Sequence, residues 1–210
     1  IENIEDKEKL TVSGSYEFKY LALTYNNIYE LNTANEAKLS YRAEHDALTG
    51  IINRGAFDRL RQFLKNKQIP IALLIVDVDK FKTVNDQYGH EMGDKVLKKV
   101  AKLLVESFRS SDYAARIGGD EFAVILPEVE EDRKAVIEEK IKKINNVLTN
   151  PENNMPKTSV SVGVAFSSSG FNDDLYKKAD AALYVTKERG RQGCSFYDNG
   201  SDTEKKSEES

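Results

Sequence analysis

Apolar positions change their period several times along this chain, and each change marks an element. Phe18, Leu21, Tyr25, Ile28, Asn32, Asn35 and Leu39 recur three and four apart, which is the spacing of one narrow helical seam. The first forty-odd residues therefore predict a single helix, whose stripe either meets a partner helix or packs on the chain's own domain. Two asparagines on the stripe weaken a pairing but set its register. From Glu44 onward strand and helix signals alternate. Ile71 to Val76 is a short apolar run rich in β-branched residues that stops at Asp77, the mark of a buried strand. Val96, Val100, Leu103, Leu104 and Phe108 recur at helical spacing between Gly93 and Arg109. Tyr113, Ala115 and Ile117 lead into Gly118 and Gly119, and Phe122 to Leu126 lead out. That is a hairpin, with the glycines supplying the backbone freedom of a tight turn. Ile137, Ile141, Ile144 and Leu148 predict a second helix, broken by the Asn and Pro cluster around Pro151 and Pro156. Val160, Val162, Val164 and Phe166 alternate with small residues, as a half-buried strand does. A third helix carries Leu175, Ala179, Ala182 and Leu183 to near Gly190, and Ser195 to Tyr197 is a last short strand.

Stripped of its flanks, the order is strand, helix, two-strand hairpin, helix, strand. This is the βαββαβ arrangement of ferredoxin-like α+β (α/β) folds, with a mainly antiparallel central sheet flanked by helices. In that topology the first and second core strands run parallel with the third between them. Asp77 then faces the Gly118 to Glu121 turn across one edge of the sheet.

Composition narrows the function classes. The chain has 210 residues, 40% apolar and 31% charged, enough to bury a core and unlike a disordered or collagenous chain. Its 31 Lys and Arg are outnumbered by 35 Asp and Glu, for a net charge of -4, which argues against a basic nucleic-acid binder. The single cysteine, Cys194, forms no internal disulfide and is left a packing role, and His45 and His90 are too few for most Cys/His zinc sites. No run approaches the roughly 20 apolar residues of a membrane span. The chain begins at Ile1 without a signal-peptide pattern, so it reads as a piece of a longer protein. Its last ten residues, from Ser201, carry no large apolar residue and are expected to be disordered.

The candidate chemistry gathers at the predicted sheet edge: Asp77, Asp79, Asp120 and Glu121 beside two glycines. Hard oxygen donors suit magnesium, which takes few protein carboxylates and shares its remaining positions with substrate phosphates. The ligand implied is a nucleotide or polyphosphate, with Lys82 close in sequence to neutralise it. Acidic residues at strand ends and turns are also commonly just solvated. An EF-hand reading of Asp77 to Lys82 fails, because the sixth position is lysine where glycine is required.

RIGGDEF at Arg116 to Phe122 resembles the signature of the GGDEF domain, the diguanylate cyclase of bacterial signalling. Four further blocks stand in the family's order: DALTGIINR at Asp46 to Arg54, DVDKFKTVNDQYGHEMGD at Asp77 to Asp94, SVSVGVA at Ser159 to Ala165, and ADAALYVTKERGR at Ala179 to Arg191. The resemblance covers roughly Glu44 to Tyr197. It implies a palm-type fold and the condensation of two GTP into cyclic di-GMP with release of two pyrophosphates. By resemblance, Asp77 and Asp120, with the backbone carbonyl of Val78, hold Mg2+ or Mn2+. Glu121 either assists the metals or activates the attacking hydroxyl. Gly118 and Gly119 let the backbone approach the nucleotide. Asn85 and Asp94 fall on the guanine-reading positions. Lys82, Lys187 and Arg191 fall on phosphate-binding positions, the last two expected one helical turn apart on one face. Asp79 is expected to cap a short helix beginning near Lys80. Asp46, Asn53 and Arg54 read as structural, and His90 as a local hydrogen-bonding residue near the guanine pocket.

Arg109 and Asp112 form an RxxD that matches the family's inhibitory product site, where a guanidinium stacks on guanine. Lys140 lies near the place of a further arginine, without its planar fork. Each domain holds one GTP, so turnover requires a homodimer, and the seam helix has a purpose in pairing two chains under an upstream sensor. GSYEFKYLALTYNNIYELN resembles the end of a HAMP-type linker, implying a cytoplasmic domain of a bacterial protein anchored in the inner membrane. The organisation expected is a linker helix over 1–43, a cyclase domain over 44–198 and a polar tail over 199–210. The competing readings are a non-catalytic GTP- or cyclic di-GMP-binding domain and a cyclase with an adenine-containing product.

Overall fold

The computed structural model describes residues 9–152 and 154–198; the expected polar tail lies outside them. The chain divides into two compact units, with the boundary between Glu44 and His45. In the first unit, α1 spans Tyr16–Glu44. It begins at Tyr16, just before the first seam position, and the described residues ahead of it are not helical but run back along the helix. The Asn26 amide grips the Leu10 backbone, accepting from its N–H at 2.7 Å and donating to its carbonyl at 2.8 Å. Phe18, Leu21, Ile28 and Leu39 of the seam are exposed. Among the described residues, no helix is long and apolar enough to cross a membrane.

The second unit is built on a six-stranded sheet, β1 (Ile52–Asn53), β2 (Ile71–Val78), β3 (Tyr113–Arg116), β4 (Glu121–Pro127), β5 (Val160–Ser167) and β6 (Gly193–Phe196), in the order β1-β3-β4-β2-β5-β6. The central pairs are antiparallel, and β1 on β3 and β6 on β5 are parallel. β2 and β3 thus run parallel with β4 between them, as the ferredoxin-like reading requires.

β2 is buried along its length because helices cover both faces of the sheet. Ala72, Leu74, Val76 and Val78 meet residues of α4 (His90–Ser107) and α5 (Lys134–Thr149). Ile71, Leu73 and Ile75 meet residues of α2 (Arg54–Lys65) and α6 (Asp173–Glu188). Alternation along a strand sends successive side chains to opposite layers, so a continuous apolar run marks cover on both sides. β5, expected to be half-buried, is likewise covered on both faces over Val160 to Ala165. Its small residues Ser161, Gly163 and Ala165 are not a solvent face. All three are buried, and at Gly163 α6 sits so close that a Cβ would stand 2.1 Å from the Ala179 carbonyl oxygen.

Candidate functional site

One end of the sheet collects the acidic residues. Asp77, next to last in β2, lies opposite Glu121 of β4 and Ser161 of β5. One residue on, the Val78 N–H donates to the Asp120 carbonyl at 3.1 Å. This bond pins the glycine turn to the end of β2 and brings together carboxylates from two distant stretches. The turn closes by the Ile117 and Gly118 N–H groups donating to the Glu121 carbonyl at 2.9 and 3.2 Å.

Neither glycine of the turn lies in the left-handed region, so backbone freedom is not the reason for them. A Cβ on Gly118 would stand 2.7 Å from Glu121 Oε2, whereas one on Gly119 would meet nothing within 4 Å. Gly118 makes room for the Glu121 carboxylate, and Gly119 leaves an open surface.

The DALTGIINR block braces this turn. Arg116 donates to the Gly119 carbonyl through Nε at 3.2 Å and Nη2 at 2.7 Å, and its Nη1 meets Asp46 Oδ1 at 3.1 Å. Arg54 Nη1 donates to the Ile117 carbonyl at 3.1 Å. Asn53 caps α2 by accepting from the Ala56 N–H at 2.9 Å. Asp46 Oδ1 also accepts from the Thr49 N–H and hydroxyl at 2.9 and 2.6 Å. Burial pushes the Asp46 carboxyl up, but the Thr49 bonds and the Arg116 guanidinium outweigh it and hold it below its ordinary 3.8. A carboxyl lowered by folding stabilises above its unfolded value, and that contribution fades as pH falls through the folded one. Asp46→Asn should therefore flatten the loss of urea resistance below about pH 4, and a profile parallel to wild type would refute the brace.

The Asp77 carboxyl is held above its usual range by burial. The Lys187 ammonium opposes this and the Asp120 and Asp79 charges add to it. Lys187, near the end of α6, places Nζ 2.7 Å from Asp77 Oδ2. Arg191 is not on the helical face with it. α6 ends at Glu188, and Arg191 sits in the turn that follows at φ 68°, with Nε 3.9 Å from Asp79 Oδ1.

Asp79 is not a cap either. Lys80, in a left-handed conformation with no side-chain capping bond, occupies the N-cap of α3 (Phe81–Tyr88). Asp79 is instead a buried tie, 5% exposed. It accepts from the Ser159 and Ser161 hydroxyls at 2.5 and 2.6 Å and from the Gln192 N–H at 3.2 Å. It thereby joins the end of β2 to the start of β5 and the loop before β6. Asp79→Ala would strand two hydroxyls and an amide, at a cost of about 2–4 kcal/mol. A urea midpoint equal to wild type would exclude this role.

A cavity of about 560 Å³ opens beside α3, lined by Asp79, Lys80, Thr83, Ser159 and Arg191 among others. Lys82 and Asp94 are exposed, and Asn85 is half-buried. His90 opens α4 and is exposed. The Cys194 thiol is pushed up to about 11 by burial, which matches a packing role. Arg109 and Asp112 line a second cavity of about 250 Å³ beyond α4. There the Asp112 carboxylate accepts from the Arg109 N–H at 2.7 Å. Lys140 donates to the Ser107 carbonyl and lies over the Phe108 ring.

Among the described residues, no group of three or more His, Cys, Asp or Glu is arranged to hold a metal. Two carboxylates with an adjacent carbonyl still fit magnesium, which completes its shell with water and phosphate oxygens. A mixed sheet covered on both faces, with Asp77, Asp120 and Lys187 gathered at one end, defines an α+β domain with its candidate site at that end.

The family described as "Diguanylate cyclase, GGDEF domain" matches residues 43–193. The chain belongs to this family. It is 38% identical over 156 residues to the probable diguanylate cyclase DgcT of Escherichia coli (strain K12), covering 71% of this chain and 34% of that protein. It is 37% identical over 161 residues to the diguanylate cyclase DgcM of the same strain, covering 74% and 39%. The coiled coil and GGDEF domain of DgcB from Caulobacter crescentus, solved in complex with c-di-GMP, superposes with a TM-score of 0.72 at 28% identity, covering 84% of this chain and 97% of that one. The chain spans less than half of the length of the curated relatives it matches.

Proposed function

We propose that this chain is a diguanylate cyclase that condenses two GTP into cyclic di-GMP and two pyrophosphates, depends on a divalent metal and works as a homodimer. The observation that carries this reading is the Val78 to Asp120 bond, which holds Asp77 and Asp120 at one end of the sheet. Asp77, Asp120 and the Val78 carbonyl would hold Mg2+ or Mn2+. Bound there, the ion supplies Lewis-acid stabilisation of the charge that builds on the phosphate oxygens. Lys82, Lys187 and Arg191 bind the phosphates, and Asn85 and Asp94 read guanine. Each 3'-hydroxyl attacks the α-phosphorus of the other GTP, the bond to pyrophosphate breaks, and the hydroxyl proton leaves. Glu121, exposed and folded against Gly118, would take that proton or assist the ion.

One domain binds one GTP, so two must face each other. The exposed seam of α1 suits a second copy of the chain, and the related DgcB fragment carries a coiled coil. Arg109 and Asp112 are the candidate contacts for product. A requirement for GTP supports a cytoplasmic position for the domain, under an upstream sensor in a longer protein. The test is incubation of purified chain with GTP and Mg2+, expecting cyclic di-GMP and pyrophosphate. Nucleotide bound without product would leave a binding module, and product from ATP would overturn the guanine assignment. Sedimentation with nucleotide should show dimers, and monomers at all concentrations would remove the dimer claim.

A further inference from the structure

A close-packed spot beside Asn85 and Asp94, the residues proposed to read guanine, falls on Gly93, a residue with no side chain to offer a ligand. Gly93 is buried near the start of α4, one position before Asp94. A Cβ built on it would stand 1.9 Å from Asn85 Oδ1, 3.0 Å from Asn85 Cγ and 3.1 Å from Phe81 Cζ. Its backbone lies outside the left-handed region, and glycine inside a helix is less favourable than alanine by roughly 0.5–1 kcal/mol. Local conformation therefore gives no reason for glycine here. The reason is space for one amide.

The Asn85 Oδ1 is buried with no hydrogen-bond partner in the protein. The Gly93 hydrogen that stands in a Cβ's place points toward this oxygen, a weak C–H···O contact at best. With Oδ1 turned onto Gly93, the amide NH2 is the edge left for a ligand. An NH2 donor suits the O6 acceptor of guanine and opposes the N6 donor of adenine, while the Asp94 carboxylate suits guanine's N1–H and N2–H donors. Because Gly93 and Asp94 are consecutive on α4, the slot that seats the amide also sets its distance from the carboxylate.

Resting on the cyclase reading, we propose that Gly93 is a positioning residue for base selection, its missing Cβ seating the Asn85 amide at the depth where amide and Asp94 together accept guanine and refuse adenine. Binding of non-hydrolysable GTP and ATP analogues with Mg2+ to the whole chain tests this by calorimetry. Gly93→Ala should lose roughly tenfold in GTP-analogue affinity, keep its weak ATP-analogue affinity, and melt no lower than wild type. Asn85→Ala should show a similar loss. The double variant should be no worse than Asn85→Ala, because the methyl then has no amide to displace. Equal losses for both nucleotides, or full additivity in the double variant, would overturn the assignment. If Gly93→Ala does not fold, the double variant must fold and bind like Asn85→Ala, and a double variant that stays unfolded also overturns it. Asn85→Ala binding GTP as wild type would sink the guanine reading itself. Normal binding by Gly93→Ala beside a defective Asn85→Ala would sink this inference alone.

Discussion

Replacing Asp120 by asparagine should reduce cyclic di-GMP synthesis by about a thousandfold or more while leaving the domain folded. The main-chain carbonyl of Asp120 accepts the Val78 N–H, and asparagine offers that same carbonyl. The turn is further held by Arg116 on the Gly119 carbonyl and Arg54 on the Ile117 carbonyl, neither of which uses the Asp120 side chain. The substitution therefore changes one charge and almost no geometry. A neutral amide oxygen is a poor replacement for a carboxylate on a hard divalent ion. It also removes one of the charges that raise the Asp77 carboxyl, so Asp77 should become easier to ionise. Product formation measured beside a thermal melt checks both halves. Wild-type turnover would remove Asp120 from the metal site, and a collapsed melt would mean the side chain holds the turn.

Gly163→Ala should destabilise the domain by about 3 kcal/mol, the upper end of ordinary overpacking. A Cβ there would stand 2.1 Å from the Ala179 carbonyl oxygen, 2.1 Å from the Leu183 nitrogen and 2.7 Å from the Leu183 Cα. All three are backbone atoms of α6, so no side-chain rotation relieves the clash. The strand cannot retreat, because Gly163 is paired with Ile75 of β2 on one side and Ser195 of β6 on the other. The helix must lift, carrying Lys187 away from Asp77. Urea unfolding should show the lost stability, and the variant that remains folded should bind GTP less tightly than its fold alone would suggest. An unchanged midpoint would mean that α6 does not ride directly on the strand.

These two residues illustrate how differently a site and a fold are written into a chain. The glycine turn that carries Asp120 is legible in the sequence, because its block and four others stand in order along the chain. The same holds for β2, whose apolar run Ile71 to Val76 carries its own period. Other features were present in the sequence but carried by a weaker signal. α2 was not foreseen, although Asn53 as N-cap followed by Phe57, Leu60 and Leu64 has the spacing of a helix packed on one face. β1, two residues long, has no period to read and exists only because β3 offers it an edge.

The misreadings share one physical cause. Asp79 resembled a cap because Asp before a helix commonly is one, yet Ser159, Ser161 and Gln192 reach it from far along the chain. Arg191 looked like a helical neighbour of Lys187 because the spacing is four residues, yet α6 had already ended. Small residues along β5 looked like a solvent face because period does not distinguish water from a close helix.

The sequence by itself determined the order of the βαββαβ core elements, the family, and which side chains carry charge or hydrogen-bonding groups, since these follow from residue type and local period. Only the tertiary structure decided which groups meet: Asp77 with Lys187, Arg116 with Gly119, Asn85 against Gly93. Such contacts depend on distances between segments that lie far apart in the chain or in different elements, and no local pattern of residues encodes how close two of them come.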